Sequence, residues 1–173
     1  MRFRSPVFAG DLLVATPRLD NADQLVEAKV DGATRASMVV TRGMVELPVV
    51  RPGEQVREYS LVLDGEYGSQ YASRAGDDLD VCSRQGIVHP AVWPALANHV
   101  VHRELAQGSW IHTRSIVRHH ALAHEGATAR IRSVVVERFT RTGERVIVDV
   151  TIDVSGHIVA TLEHEAIVRI ERH

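Results

Sequence analysis

The segment from residue 89 to residue 105 constrains the fold most, because nearly all of its surface is apolar. Its sequence is HPAVWPALANHVVHREL, and Pro90 stands where the first turn of a helix tolerates a proline. Apolar residues recur after it at three- and four-residue spacings: Val92, Trp93, Leu96, Ala97, Val100, Val101 and Leu105. This spacing predicts a helix, and a helix with so wide an apolar surface has to be enclosed by the rest of the chain.

The segments that follow the helix alternate in the way that half-buried strands do. The clearest is 145–153, in which apolar and polar side chains alternate without interruption. The turn sequences RTGE at 141–144 and SG at 155–156 separate it from its neighbours and predict an antiparallel meander. Further strands are predicted at 57–63, 109–117, 129–139 and 157–170. The sequence therefore predicts an α+β fold in which a curved antiparallel sheet wraps around one long central helix.

Residues 1–50 contain short strand patterns but no comparable helix. They also resemble the C-terminal part of the same chain, because 2–19 can be aligned with 118–135 so that Arg2 meets Arg118 and Gly10 meets Gly126. In that alignment 38–47 falls near 158–167. The similarity predicts two units: a partial strand unit over 1–50 that lacks a central helix, and a complete unit over 52–173.

Charge and cysteine content exclude several classes of protein. The 20 basic and 22 acidic residues are interspersed, with a formal net charge of -2, so neither a nucleic acid nor a membrane is expected as a partner. Cys82 is the single cysteine and has no partner for an internal disulfide. The N-terminal sequence MRFRSPVFAG lacks the apolar core of a signal peptide, and these features predict a cytoplasmic protein.

Three segments carry a resemblance to a known family. They are YASRAGDD at 71–78, GIVHP at 86–90 at the entrance of the helix, and PVFAGDLL at 6–13. With these segments the chain resembles the hotdog superfamily, in particular its MaoC-like branch of acyl-CoA hydratases and dehydratases. The resemblance implies a complete hotdog unit over 52–173, preceded by a shortened first unit as in double-hotdog proteins.

The catalytic signature of that family reads G-D-x-N-P-[IL]-H, and this chain matches only part of it. Gly76 and Asp77 match its first two positions. The asparagine, proline and histidine positions are occupied by Leu79, Asp80 and Cys82. The segment IVHP takes the place of the family's I-A-H-G stretch, so that His89 is the candidate replacement for the missing histidine.

The resemblance implies that Asp77 and His89 act together on a water molecule. Hydration of an enoyl thioester needs a group that takes a proton from water and donors for the thioester oxygen. The unpaired amides that open the central helix, at Ala91 and Val92, are the candidate oxyanion donors. The alternative is structural: Asp77 in a solvated turn and His89 as an ordinary residue at the start of the helix.

Other polar side chains are candidates for a ligand pocket. The candidate pocket residues are Cys82, Gly86, Trp93, Asn98 and His164. For Cys82, Trp93 and His164 the alternative is a place in the core. Arg114 and Arg118 are candidates for binding CoA phosphates, with a solvent-facing sheet surface as the alternative.

No metal site is predicted, although the chain is rich in histidine. The histidines that lie close in sequence are His99 and His102 in the helix, and His119, His120 and His124 after it. Neither group has supporting ligands at a typical metal spacing. No cofactor is expected other than a CoA thioester as substrate or ligand.

Three functions stay open at this point. The first is a MaoC-like hydratase or dehydratase of 2-enoyl-CoA or 3-hydroxyacyl-CoA thioesters, with an incomplete signature. The second is a hotdog acyl-CoA thioesterase, for which Glu104 is the only acidic residue of the predicted helix. The third is a catalytically degenerate subunit that binds an acyl-CoA or acyl-carrier thioester. Exposed sheet edges predict a homodimer or a hetero-oligomer in each case.

Overall fold

The computed structural model describes residues 1–5, 11–20, 23–68 and 70–170. Within these residues the chain forms one nine-stranded sheet whose neighbouring strands are all antiparallel. The strands are β1 (Arg2–Phe3), β2 (Val14–Asp20), β3 (Asp23–Val30), β4 (Ala33–Val40), β5 (Glu54–Val62), β6 (Ile111–His119), β7 (Thr128–Thr140), β8 (Glu144–Val154) and β9 (His157–Arg169). Gly10 and most of the segment PVFAGDLL lie outside the described residues.

The predicted central helix is present, in two parts. It begins as an α-helix, α3 (Val92–Val100), and continues as one wider π-helical turn (Val101–Leu105). Three shorter helical segments precede it along the chain. They are a 3₁₀ turn (Gly65–Tyr67), α1 (Gln70–Arg74) and α2 (Val81–Arg84). The helix thus ends at the predicted residue but begins three positions later, because residues 89–91 form a turn in which the Val92 amide donates to the His89 carbonyl oxygen.

The core lies between this helix and one face of the sheet. The buried residues of the helix are Val92, Trp93, Leu96, Ala97, Val100 and Val101. They join one hydrophobic cluster with the alternating apolar residues of β8, which are Val146, Val148, Val150 and Ile152. The side chains between them on β8, such as Asp149 and Thr151, point to the opposite face of the sheet, which we call the outer face.

The predicted meander of three long strands is confirmed. β7 pairs with β8 and β8 pairs with β9, both antiparallel. Positive φ angles at Thr142 and Gly143 form the first connecting turn, and those at Ser155 and Gly156 form the second. Two successive residues with positive φ are typical of the tight turns whose twist matches that of antiparallel strands.

The N-terminal strands pair in the same order as the C-terminal ones. The sheet order is β2-β3-β4-β1-β6-β9-β8-β7-β5, so β1 to β4 repeat the pairing of β6 to β9 outward from a central β1–β6 contact. Asp31 and Gly32 (φ 49° and 77°) form the same kind of turn as Ser155 and Gly156 (φ 54° and 82°). If these turns are equivalent, Met38 corresponds to Leu162 rather than to Ile158. The division into units over 1–50 and 52–173 stays a prediction.

We expect Gly143→Ala to destabilise the protein much more than Gly156→Ala. Both glycines have positive φ (106° and 82°), but a Cβ on Gly143 would lie 2.6 Å from the Arg169 carbonyl oxygen, whereas one on Gly156 would meet nothing within 4 Å. Strain alone predicts a loss of about 1 kcal/mol at Gly156, and strain plus the backbone clash about 3 kcal/mol at Gly143. Urea unfolding of the two variants measures the difference, and equal losses would contradict the clash.

Candidate active site

The structure brings Asp77 and His89 together on the segment that leads into α3. The Oδ2 atom of Asp77 lies 3.0 Å from Nε2 of His89. Asp77 lies three residues beyond the end of α1. Gly76, just before it, has a positive φ of 75°, and the Asp77 amide donates to the Ala72 carbonyl oxygen at 2.9 Å. This is the geometry of a helix end that a glycine terminates.

The two residues before His89 are paired with the segment between β6 and β7, and this fixes the position of His89. Ile87 forms a bridge with His124, and the Val88 amide donates to the Ala123 carbonyl oxygen at 2.9 Å. α2 spans the distance between these anchors and Asp77. The contact therefore depends on a short helix and a strand-like anchor, not on sequence proximity.

Asp77 is held as a carboxylate. The Leu79 amide donates to Oδ1 at 2.9 Å, and His89 contacts Oδ2. The Leu79 amide, followed by His89, lowers the pKa of Asp77 below its ordinary value of 3.8, because both hydrogen bonds favour the charged form. Leu79 stands at the family's asparagine position. Its side chain has no polar group, but its backbone amide binds the Asp77 carboxylate.

His89 has a defined tautomer in this arrangement. The Ala91 amide donates to Nδ1 at 3.2 Å, so Nδ1 is the unprotonated nitrogen and Nε2 carries the hydrogen. His89 therefore donates from Nε2 to the Asp77 carboxylate. The Tyr71 ring stacks on the imidazole with centroids 5.7 Å apart and an interplanar angle of 23°. The side chains of His89 and Asp77 are 17% and 30% exposed, so the pair is shielded but within reach of water.

The two amides predicted as oxyanion donors already have acceptors. The Ala91 amide donates to His89 Nδ1, and the Val92 amide donates to the His89 carbonyl oxygen at 3.0 Å. Their role as oxyanion donors stays a prediction, and it requires a ligand that exchanges these hydrogen bonds.

The structure does not gather the candidate pocket residues into one site. Cys82 lies half-buried on α2, and Gly86, with a φ of 61°, turns the chain after that helix. Trp93 is 2% exposed and belongs to the hydrophobic core. The buried Oδ1 of Asn98 and the buried Nε2 of His164 have no hydrogen-bond partner among the described residues.

His164 belongs to a buried polar cluster of its own, with His112 and Ser115. The Ser115 hydroxyl lies 2.8 Å from His164 Nδ1 and 2.8 Å from His112 Nε2, and the two imidazole centroids are 4.1 Å apart. Burial lowers the pKa of His164 to about 3 and that of His112 to about 4, so both rings are neutral at pH 7. Sequence reasoning named His164 but missed its two partners, because only the β6–β9 register, which pairs Ser115 with His164, brings them together.

Arg114 and Arg118 lie on the outer face of the sheet, opposite α3. Arg114 is ion-paired with Glu163 and Glu165, so its charge is already matched. Arg118 pairs in register with Thr161 and lines an outer-face cavity. The structure therefore separates both arginines from the face that carries α3.

The part of the chain that the structure describes contains neither of two features, one typical of metal sites and one typical of membrane proteins. There, no group of three or more His, Cys, Asp or Glu side chains is placed to hold a metal ion. In the same residues, no helix has both the length and the apolar composition needed to cross a membrane. Two cavities, of about 490 Å³ and about 660 Å³, lie away from Asp77 and His89.

Comparisons of the sequence with known proteins give no family. No protein-family model matches the chain, and no curated protein matches it.

Comparison with solved structures shows the class of fold. The chain is similar to the (R)-hydratase from A. caviae involved in PHA biosynthesis, with a TM-score of 0.56 and 12% identity over 69% of this chain and 97% of that one. It is similar to the ChsH1–ChsH2 complex from Mycobacterium tuberculosis, with a TM-score of 0.55 and 18% identity over 68% and 97%. It is also similar to a hot-dog-like protein from Thermanaerovibrio acidaminovorans, with a TM-score of 0.51 and 18% identity over 68% and 82%. The chain has the hotdog fold, as the family resemblance implies.

Proposed function

We propose that the chain is a MaoC-like acyl-CoA hydratase or dehydratase in which Asp77 and His89 activate water. The observation that carries this proposal is the 3.0 Å contact between Asp77 Oδ2 and His89 Nε2. An ionised carboxylate held by a fixed imidazole donor can act as the general base that the addition of water to a 2-enoyl thioester requires. The pair lies at the start of the central helix, where the resemblance places the catalytic groups.

The proton transfers of the reaction use these two side chains and water, and the thioester oxygen needs hydrogen-bond donors in addition. The Asp77 carboxylate takes one proton from water while the water oxygen bonds to the β-carbon of the enoyl group. The electron pair of the double bond moves toward the α-carbon and the thioester oxygen. The protonated Asp77 then gives its proton to the α-carbon, so that H and OH have added and the carboxylate is restored. His89 orients the carboxylate through its Nε2 hydrogen throughout.

We explain the departure from the family signature by the positions of two residues. Cys82 occupies the family's histidine position but lies on α2, whereas His89 reaches Asp77 from the residue before Pro90. Two of the similar structures are named as (R)-hydratases, and hydration is the class of reaction that we propose for this chain. They support the fold, and the reaction is our proposal.

The direct test is turnover of a series of 2-enoyl-CoA substrates of increasing chain length, measured as loss of enoyl absorbance. We expect hydration by the purified protein, together with slow dehydration of the matching 3-hydroxyacyl-CoA. Wild-type protein that is inert on every chain length would refute the proposal.

His89→Leu is expected to raise the pKa of Asp77 toward its ordinary value. The variant removes one of the two hydrogen bonds that stabilise the carboxylate and leaves the Leu79 amide in place. Carboxyl carbon chemical shifts measured by NMR over acidic pH report the titration. An unchanged titration of Asp77 would show that the two side chains are not in contact in solution.

A second candidate function is a subunit that binds an acyl thioester without turning it over. The observation that favours it is that both amides at the start of α3 have acceptors within the chain, which leaves the oxyanion unsupported. An acyl-CoA that raises the Tm without being consumed would favour this candidate. The thioesterase alternative is not favoured, because Glu104 is exposed on the last turn of the helix, at the opposite end from His89.

We further propose that the chain works as a double hotdog with a shortened first unit, in a homodimer or hetero-oligomer. β2 and β5 are the two edges of the described sheet, and unpaired strand edges favour association. The solution mass measured by light scattering tests this, and a monomeric mass would contradict it.

A further inference from the structure

The outer face of the sheet carries a cavity of about 490 Å³ that the proposed chemistry does not use. The segment 48–51 covers it, and β6, β7, β8 and β9 form its floor. Arg51 fixes this cover, because its Nε donates to Asp149 at 2.7 Å and its Nη2 to Glu163 at 2.9 Å. The hydrogen bonds with Asp149 raise the pKa of Arg51 above its ordinary value, so this link stays charged.

Strand register places four polar residues in one row across the cavity floor. Arg118 pairs with Thr161, Thr161 with Thr151, and Thr151 with Arg132. The row therefore reads Arg–Thr–Thr–Arg, and all four residues line the cavity. Three strand spacings separate its ends, which is about 14 Å between the two arginine Cα positions.

The charges of the two arginines are not balanced. Among the described residues, neither Arg118 nor Arg132 has an ion-pair partner. The hydrogen bonds from Arg130, and to a smaller extent the charge of Arg132, lower the pKa of Glu58, and the Glu58 carboxylate is hydrogen-bonded to Arg130 rather than to Arg132.

The carboxylates that line the cavity are already matched. Asp149 is paired with Arg51, and Glu163 is paired with Arg51 and Arg114. The cavity therefore keeps an excess of positive charge at the two ends of the row.

We propose that this cavity binds the phosphate group of a small phosphorylated ligand. Guanidinium groups bind phosphate oxygens through paired hydrogen bonds, and the hydroxyl of Thr151 is a further donor. The cavity volume falls within the usual range for small-molecule sites, about 300–1,000 Å³, so it has room for more than inorganic phosphate. Val49, Val50 and Val134 supply apolar wall for the remainder of such a ligand.

The site is independent of Asp77 and His89, because it lies on the opposite face of the sheet from α3. Its ligand therefore need not be the thioester substrate. Loss of this site and loss of the proposed hydration can be observed separately.

Calorimetric titration with inorganic phosphate and with ADP, at constant ionic strength in chloride, tests the proposal. We expect wild-type protein to bind at least one of them, and the Kd to rise about tenfold or more for each of Arg118→Gln and Arg132→Gln. Arg141→Gln is the matched control, because it removes the same charge from a β7–β8 turn residue that does not line the cavity. Thr151→Val weakens binding without any change of charge.

Each outcome of this titration either supports or overturns the proposed phosphate site. Tighter binding of ADP than of phosphate assigns a nucleotide-sized ligand, and equal binding assigns the phosphate group alone; both support the site. Binding of neither probe overturns it, as does equal weakening by Arg141→Gln, which would indicate nonspecific attraction. Circular dichroism of each variant shows whether the fold is retained.

Discussion

Asp77→Asn is expected to lower the rate of 2-enoyl-CoA hydration by about 10²- to 10⁴-fold, the range for loss of a general base. An asparagine oxygen still accepts the Leu79 amide hydrogen bond, so the loop keeps its shape, but the amide cannot take a proton from water. The pKa of Asp77 is lowered by the Leu79 amide and His89, so wild-type activity should fall only at pH values well below neutrality. Steady-state kcat with an enoyl-CoA of the preferred chain length measures the effect.

The matched control for this variant lies one residue away. Asp78 is exposed, and Asp78→Asn makes the same chemical change in the same loop, so we expect its kcat to be unchanged. Equal activity of wild type and Asp77→Asn would show that the reaction, if present, uses another base. A loss in both variants would indicate a general effect of charge in the loop.

Acidification from pH 7 to pH 5 is expected to lower the free energy of unfolding by about 4 kcal/mol through the cluster of His112, Ser115 and His164. Burial holds the pKa of the two histidines at about 4 and about 3 in the folded protein, against an ordinary value of 6.5. Below pH 6.5 the two histidines therefore bind protons in the unfolded chain but not in the folded chain. The stabilisation is complete above that pH and is lost as the pH falls below it.

Urea unfolding at several pH values measures this loss, and His164→Gln separates its source. Glutamine keeps a hydrogen-bonding side chain beside Ser115 but does not titrate, so we expect the loss between pH 7 and pH 5 to fall by about half. His102→Gln is the control, because His102 is exposed on the π-helical turn. If the free energy of unfolding of His164→Gln falls as much between pH 7 and pH 5 as that of the wild type, the cluster does not govern acid stability.

The parts of the fold that depend on local patterning were predictable. The wide apolar surface of 89–105 required a helix enclosed by the chain, and its side chains are buried as expected. The alternation of 145–153 placed Val146, Val148 and Val150 on the core face. Periods of 3.6 and 2 residues are properties of the backbone geometry, so they can be read without knowledge of the tertiary structure.

The pairing of Asp77 with His89 was one of two interpretations that the sequence left open. Motif position would have favoured Cys82, because it stands where the family has its histidine. The choice of His89 depends on how α2 folds and on the bridge between Ile87 and His124, and neither has a signal in local sequence.

The sequence by itself determined the central helix, the long strands that follow it, and which of their faces are buried, and the family resemblance implied the hotdog architecture. The sequence did not predict the 3₁₀ turn, α1 or α2. Only the tertiary structure decided the partners of His164, the acceptors of the Ala91 and Val92 amides, and the row that joins Arg118 to Arg132. The physical reason is that burial patterns repeat every few residues along a chain, whereas contacts across strands depend on register. Register is set by turns, bulges and packing far away in the sequence.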